Sequence, residues 1–284
     1  MNNTLQTLLI PSSSSEFLGE IESPSEPRLQ KLLEEAKNEY ELLQNKKNIF
    51  LQNLENIVRQ NNSVLEGNCF YRHASLSLYP VLYTKQINLF FCGKLAEKRI
   101  CEIGFNAGHS SMLLLLGHEL SQTLSSATPE FRVSVPSSTP PLLHTLLTPL
   151  STQPLLQFTI FDLGDHSYIL PCLQYIQSQF SQVDFEFIKG DSTITIPQWM
   201  IENNDKLGTY DLIHIDGGHS EHCIKNDFLN VDLMIKVGGV VIIDDSDMPD
   251  IKKYIEKYLS SGNYVELDVL KTIDYTHRII QKIK

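Results

Sequence analysis

The sequence predicts an α/β fold with a mostly parallel sheet, and two observations carry this prediction. From residue 98 onward, short apolar segments alternate with amphipathic ones, from RICEIGF and GHSSMLLLLGHELSQ to the closing YVELDVL and THRIIQKI. Strands that are apolar on both faces and joined by helices are typical of a parallel sheet covered on both sides. The two closing segments lie too close together for a crossover helix, which indicates an antiparallel strand at the end.

The same alternation continues in order between these two ends. Four further pairs of a strand and a helix are predicted: FTIFDL with SYILPCLQYIQSQF, FEFIKG with TITIPQWMIENN, YDLIHID with SEHCIKNDFLNVDLMI, and GGVVIIDD with MPDIKKYIEKYLSS. Together with the first strand and the closing pair, these segments give a sheet of seven strands.

The chain divides into three parts by composition. Residues 1–27 are rich in Ser and Pro and predict a flexible tail. Residues 28–87 repeat Leu, Ile and Phe at helical spacing, which predicts an accessory helical segment that packs on the core, forms a dimer surface or covers the site. Residues 88–284 form the α/β domain, interrupted at 122–157 by an excursion rich in Pro, Ser and Thr.

Composition and charge exclude several classes of protein. Hydrophobic residues make up 42% of the chain and charged residues 20%, which is typical of a globular protein. A net charge of −11 disfavours a broad nucleic-acid surface, and no apolar run approaches the ~20 residues of a membrane span. The five cysteines form no C-x-x-C pair, so we expect reduced, mostly buried thiols and a cytoplasmic protein.

The first strand ends at Glu102 and leads into a turn that carries Gly104 and Gly108. Glycines let the backbone approach a ligand, and the following helix points its positive end at the same place. The G-x-x-x-G spacing lacks the tight pyrophosphate turn of nicotinamide enzymes, and the acidic Glu102 suits a cationic amino acid or sulfonium. The alternative is an ordinary strand-to-helix turn, since many of these contain glycine.

Acidic residues also follow the second and third strands. Asp162 ends the second strand, where an acid can accept the hydroxyl groups of a ribose. Asp191 and Ser192 follow the third strand, where they can meet an adenine amino group and ring nitrogen. A single acid at a strand end is often structural, but three suitable loops in the right order favour a nucleoside-bearing cofactor.

Three carboxylates are expected to converge at the ends of the fourth and fifth strands. Asp216 ends the fourth strand, and Asp244 and Asp245 end the fifth, at the same edge of the sheet. Such carboxylates repel each other unless a cation or proton intervenes, and Mg²⁺ prefers oxygen ligands. The alternative is that the acids cap helices or pair with Lys252 or Lys253.

His219 follows Asp216 closely and is predicted to be the general base. A neutral imidazole can take the proton of an acceptor hydroxyl, and a neighbouring dication and a helix N-terminus would disfavour the imidazolium form. The alternative is an exposed histidine at the start of a helix.

The segments EIGFNAGHSS, FDLGDHSY, GDS, YDLIHIDGGHS and GGVVIIDD resemble class I S-adenosylmethionine-dependent methyltransferases. Within that class they are similar to the branch of macrocin-type sugar O-methyltransferases and cephalosporin hydroxylase-like proteins, from about residue 88 to the end. The resemblance implies a Rossmann-like seven-stranded methyltransferase sheet whose last strand is antiparallel. It also implies that S-adenosylmethionine binds at Glu102, Gly104, Phe105, Asn106, Gly108, His109, Ser110, Asp162, Leu163, Asp191, Ser192 and Asp216.

The resemblance further implies a metal centre. Asp216, Asp244 and Asp245 would be ligands of Mg²⁺ or another hard divalent ion, with Asp216 and His219 the catalytic residues. The family often has Glu-Asp where this chain has Asp-Asp, which changes the reach of the first ligand.

We therefore expect an S-adenosylmethionine-dependent methyltransferase that methylates a hydroxyl of a sugar or small molecule with the help of a metal. Two alternatives stay open: a metal-independent enzyme acting on an amine, and a non-catalytic adenosyl-binding scaffold. The expected partners are a small-molecule or glycan acceptor and a second copy of the chain bound through the N-terminal helices, with no nucleic acid and no membrane.

Overall fold

The computed structural model describes residues 26–63, 69–70, 82–126, 156–272 and 276–284. The predicted tail lies almost entirely outside these ranges, as does most of the excursion at 122–157. The first five residues of that excursion belong to a helix that ends at Ser126, so the sequence prediction placed its start too early.

The strands form one seven-stranded sheet, as predicted. They are β1 (Arg99–Ile103), β2 (Leu156–Asp162), β3 (Val183–Lys189), β4 (Tyr210–Ile215), β5 (Ile235–Ile243), β6 (Tyr264–Glu266) and β7 (Arg278–Lys282). Their order is β3-β2-β1-β4-β5-β7-β6. The pairs among β1 to β5 are parallel, and β7 runs antiparallel to both β5 and β6. The closing antiparallel strand is therefore confirmed.

The order of the strands creates one crevice in the sheet. From β1 the chain proceeds outward to β2 and β3, and then returns to place β4 on the other side of β1. In open α/β sheets the loops diverge at such a reversal, and ligands bind outside the carboxyl ends of the strands there. The loops after β1 and β4 are thus placed to form a site.

The described residues form eight α-helices and a short 3-10 helix at Asn204–Lys206. The α-helices are α1 (Glu26–Leu42), α2 (Gln44–Gln60), α3 (Tyr83–Leu95), α4 (His109–Ser126), α5 (Ile169–Gln179), α6 (Ser192–Glu202), α7 (Glu221–Met234) and α8 (Pro249–Ser260). None of these helices combines the length and the apolar character needed to cross a bilayer.

Helices α1 and α2 form the N-terminal part of the described chain and pack on the core. Their buried side chains include Leu33, Tyr40, Phe50 and Leu54, which belong to the same apolar cluster as residues of β1 and β2. Burial of such side chains removes apolar surface from water and is the main favourable contribution to folding.

Helix α3 connects the N-terminal segment to the domain, because residues Lys85 to Gly93 are all buried. The predicted boundary at residues 87/88 falls inside this unbroken helix. Two glycines let α3 approach α4: a Cβ at Gly93 would lie 2.0 Å from the carbonyl oxygen of Leu114, and one at Gly117 would lie 2.1 Å from that of Phe90. The backbones of the two helices are therefore in direct contact.

We expect Gly117→Ala to lower the free energy of unfolding by about 1–3 kcal/mol or more, because the methyl group must push α3 away from α4. Chemical denaturation followed by circular dichroism measures this change. Gln122→Ala is the matched control, since Gln122 is exposed on the same helix. Equal stabilities of the two variants would contradict the close contact.

Candidate active site

The carboxyl ends of the parallel strands open into a cavity of about 640 Å³, a size typical of small-molecule sites. The loops that follow the first five strands line it. The predicted site residues that line this cavity are Gly104, Phe105, Asn106, His109, Ser110, Asp162, Leu163, Asp191, Ser192, Asp216, His219, Asp244 and Asp245. Glu102 and Gly108 lie behind its wall.

The loop between β1 and α4 requires its two glycines. Gly104 has a φ of 90°, and a Cβ there would lie 1.9 Å from the carbonyl oxygen of Asp216. Gly108 has a φ of 77°, and its Cβ would lie 2.5 Å from Cδ1 of Ile176. Since α4 begins at His109, which lines the cavity, the positive end of this helix lies at the cavity wall.

Asp162 holds this loop in place. Its Oδ2 accepts hydrogen bonds from the backbone N–H of Phe105 at 2.8 Å and of Asn106 at 3.0 Å, and its Oδ1 accepts one from Gly164 at 2.7 Å. A carboxylate has about four acceptor positions, so about one is left for a ribose hydroxyl. Asp165, which the sequence analysis missed, also lines the cavity and can supply a second acceptor.

The carboxylate of Glu102 is fully buried beneath the loop. It accepts hydrogen bonds from the hydroxyls of Ser110 and Ser111 and lies 2.9 Å from Nδ1 of His214. The position predicted to contact a methionine group therefore stabilises the first turn of α4 and orients His214. In this structure Glu102 acts on the cavity through these neighbours.

Asp191 caps the next helix at the far end of the cavity. Its Oδ1 accepts hydrogen bonds from the backbone N–H of Thr193 at 2.9 Å and from its hydroxyl at 2.8 Å, and these bonds lower the pKa of the exposed Asp191. Ser192 begins α6 beside it. Both residues line the cavity, and their contact with an adenine stays a prediction.

The predicted carboxylates meet where β4 and β5 end. The two strands pair in register at Ile215 and Ile243, so Asp216 and Asp244 follow side by side. One ligand atom each from His214, Asp216 and Asp244 lies within 4.8 Å of the other two. Burial and the neighbouring charge of Asp244 raise the pKa of Asp216 to about 7.

The cation that compensates these acids is Lys85, which the sequence analysis did not identify. Its ammonium, at the start of α3, forms an ion pair with Oδ2 of Asp244, and the two side chains are only 6% and 4% exposed. Burial alone would lower the pKa of Lys85, but the charges of Asp244 and Asp216 outweigh it, and the pKa is raised. Lys253, one alternative partner, instead pairs with Glu221 at 2.8 Å.

These contacts decide whether the residues fit a divalent ion. Oδ2 of Asp244 is bound to Lys85, and its Oδ1 accepts the N–H of Asp245 at 2.9 Å. Oδ2 of Asp245 lies 2.8 Å from Nε2 of His219. An ion at the predicted ligands would have to displace an ammonium and a histidine, so the described arrangement does not fit Mg²⁺.

His219 is half-exposed at the cavity rim, with 48% of its side chain accessible. The hydrogen bond to Asp245 raises its pKa, against a smaller opposing effect of burial, and the charges of Asp245 and Asp216 add to the increase. In the described contacts a carboxylate is the nearest charged neighbour of His219 and favours the imidazolium form.

We expect the pKa of His219 to lie above its ordinary value of about 6.5 and to fall toward that value in Asp245→Asn, which removes the negative charge. Titration of the imidazole resonances by NMR measures both values without any ligand. Asp250→Asn removes an exposed acid from the same segment and should leave the His219 titration unchanged. An unchanged pKa in Asp245→Asn would show that the 2.8 Å contact does not form in solution.

Among solved structures, this chain is similar to an O-methyltransferase from Bacillus cereus in complex with SAH, with 16% identity, a TM-score of 0.48 and coverage of 81% of this chain and 90% of that one. It is also similar to the TDP-rhamnose 3'-O-methyltransferase of calicheamicin biosynthesis, with 15% identity, a TM-score of 0.49 and coverage of 92% and 95%. A third similar structure is an SAH-bound methyltransferase from Podospora anserina, with 12% identity, a TM-score of 0.42 and coverage of 72% of this chain and 83% of that one.

A comparison with curated proteins finds no match. A family model described as a methyltransferase domain, methyltransferase-24, matches residues 101–246, which is more than half of the chain. The matched residues begin in β1 and extend just beyond Asp245, so they include the loops that line the cavity. The chain belongs to this family and is an S-adenosylmethionine-dependent methyltransferase.

Proposed function

We propose that the protein methylates a hydroxyl group of a sugar or small molecule, with His219 as the general base. One observation supports this most: an imidazole at the cavity rim is held by a carboxylate through one nitrogen, with Nε2 of His219 2.8 Å from Oδ2 of Asp245. An alcohol is a poor nucleophile until it loses its proton, so its methylation needs such a base.

The contact with Asp245 also selects the reactive nitrogen. In the neutral imidazole the proton stays on Nε2, where the carboxylate accepts it, and Nδ1 is left with a lone pair. Nδ1 of His219 then takes the proton of the acceptor hydroxyl, and Asp245 stabilises the imidazolium that forms. The same pairing of a carboxylate with a histidine operates in serine hydrolases.

The rest of the cavity suits the cofactor. The glycine loop would hold the methionine part, Asp162 and Asp165 the ribose, and Asp191 with Ser192 the adenine. The fit rests on the glycine loop that lines the cavity and on the acidic surroundings, which favour a cation. When bound, S-adenosylmethionine supplies a methyl group whose bond to the sulfonium breaks, with the electron pair going to sulfur.

The sugar-like acceptor is supported by the resemblance of the segment from Asp216 to His219 and of the Asp244-Asp245 pair to sugar O-methyltransferases. An amine acceptor is the alternative that the same cavity allows, since an amine also needs to lose a proton. The metal assistance predicted from the sequence has no support in the contacts of Asp244 and Asp245 and is not included in the proposal.

We expect calorimetric titration to show that S-adenosylmethionine and S-adenosylhomocysteine bind, because the loop spacing and the acidic surroundings suit them. NAD should not bind, since the loop lacks the pyrophosphate turn. Binding of NAD without binding of either adenosyl compound would contradict the assigned cofactor site.

We expect His219→Ala to lower the rate of methyl transfer by about 10²–10⁴-fold, the usual contribution of a general base, with little change in the affinity for S-adenosylhomocysteine. Transfer of labelled methyl from S-adenosylmethionine to a panel of sugar nucleotides and phenols measures the rate, with primary amines as a parallel panel. His222→Ala is the matched control, because His222 is exposed in the first turn of α7, which follows His219. Full activity of His219→Ala, or methyl transfer to the amines alone, would contradict the proposal.

A further inference from the structure

Lys85 lies at the cavity, although it precedes the α/β domain in the sequence. It lies in the first turn of α3, in the segment before the α/β domain, yet it lines the cavity and reaches Asp244, 159 residues later in the chain. The side chain is buried, so its ammonium has exchanged water for protein partners. A buried ammonium is stable only when carboxylates surround it closely.

The groups that face this ammonium come from several elements. Asp244 is its direct partner, and Asp216 adds a second negative charge from the end of β4. The Cys69 thiol, His214 and the buried His277 complete its titratable surroundings, and the positive charge of Lys85 helps to lower the pKa of His277. The acids outnumber the cation, so the ammonium stays charged.

His214 also brings a ring nitrogen close to the same acids. Nδ1 of His214 lies 2.9 Å from Oε1 of Glu102, and among the described residues its buried Nε2 has no hydrogen-bond partner. A carboxylate that accepts the Nδ1 proton leaves the lone pair on Nε2, which is the arrangement of metal-ligating histidines. His214, Asp216 and Asp244 thus have the atoms of a nitrogen and oxygen metal site, with an ammonium bound to one of them.

We propose that Lys85 is the permanent cation of this centre: its ammonium binds Asp244 beside the charge of Asp216, in place of a divalent ion, and the enzyme works without bound metal. Lys85 is a positioning residue, since it fixes the carboxylate of Asp244 next to Asp216. The role of this centre in the reaction rests on the proposed function. The binding of the Lys85 ammonium at Asp244 does not, because it is independent of methyl transfer.

We expect the removal of the Lys85 ammonium to create a metal-binding site. Methionine has a side chain of similar length without charge, so Lys85→Met should free Asp244 and leave His214, Asp216 and Asp244 as a three-ligand set. Such a set with one imidazole and two carboxylates suits Mn²⁺, Co²⁺ or Zn²⁺. If Lys85 had a purely structural role, its removal would not create a metal-binding site.

The test is titration of the full chain with Mn²⁺, followed by electron paramagnetic resonance of the free ion. The wild type should leave Mn²⁺ free, and Lys85→Met should bind about one ion per chain at least tenfold more tightly. The double variant Lys85→Met, Asp216→Asn should lose this binding. Lys85→Arg, which keeps the positive charge, should behave as the wild type, as should Lys252→Met, which removes an exposed lysine.

Two results would overturn the proposal that the Lys85 ammonium takes the place of a metal ion. Stoichiometric Mn²⁺ binding by the wild type that Asp216→Asn abolishes would overturn the proposal, and this measurement stands even if Lys85→Met fails to fold. A folded Lys85→Met, checked by circular dichroism, that binds no Mn²⁺ would overturn it too. Methyl transfer by the wild type to any acceptor should be insensitive to EDTA. If the Mn²⁺ results are as expected but no acceptor is methylated, only the proposed function is refuted.

Discussion

Two parallel strands that end side by side place Asp216 and the buried Asp244 next to each other, and the ion pair between Lys85 and Asp244 makes this arrangement stable. A buried carboxylate without a partner costs several kcal/mol, because it loses water and gains nothing in return. The compensating ammonium comes from α3, so the active site depends on how closely that helix lies on the domain. Gly93 and Gly117 permit this approach, since any side chain at either position would meet the backbone of the other helix.

The acids of the site serve two different purposes. Asp162 and Glu102 direct their oxygens inward, to backbone amides, serine hydroxyls and His214, and so fix the loop before any ligand arrives. Asp216 and Asp245 instead line the cavity. A loop that is already held in its binding conformation loses less conformational entropy when the ligand binds, which favours affinity.

The turn after β5 lets neighbouring acids face different partners. Asp245 has a φ of 49°, a left-handed conformation that Asp adopts more readily than most residues. Asp244 is thereby directed to Lys85, while Asp245 reaches His219 on the loop after β4. One dipeptide therefore connects a buried cation on α3 to His219 at the rim.

Alternating apolar segments and acids at strand ends were sufficient to predict the sheet, its closing antiparallel strand and the loops that form the cavity. This information is local, because parallel strands share an edge and any residue that ends one of them must lie there. The partners of those residues are not local. The pairing of Lys85 with Asp244, the burial of Glu102 and the raised pKa of His219 each depend on elements far apart in the chain. The packing of α3 brings Lys85 to Asp244, whereas the pairing of the strands brings His214 to Glu102 and Asp245 to His219. The tertiary structure alone therefore decided which partners these acids have.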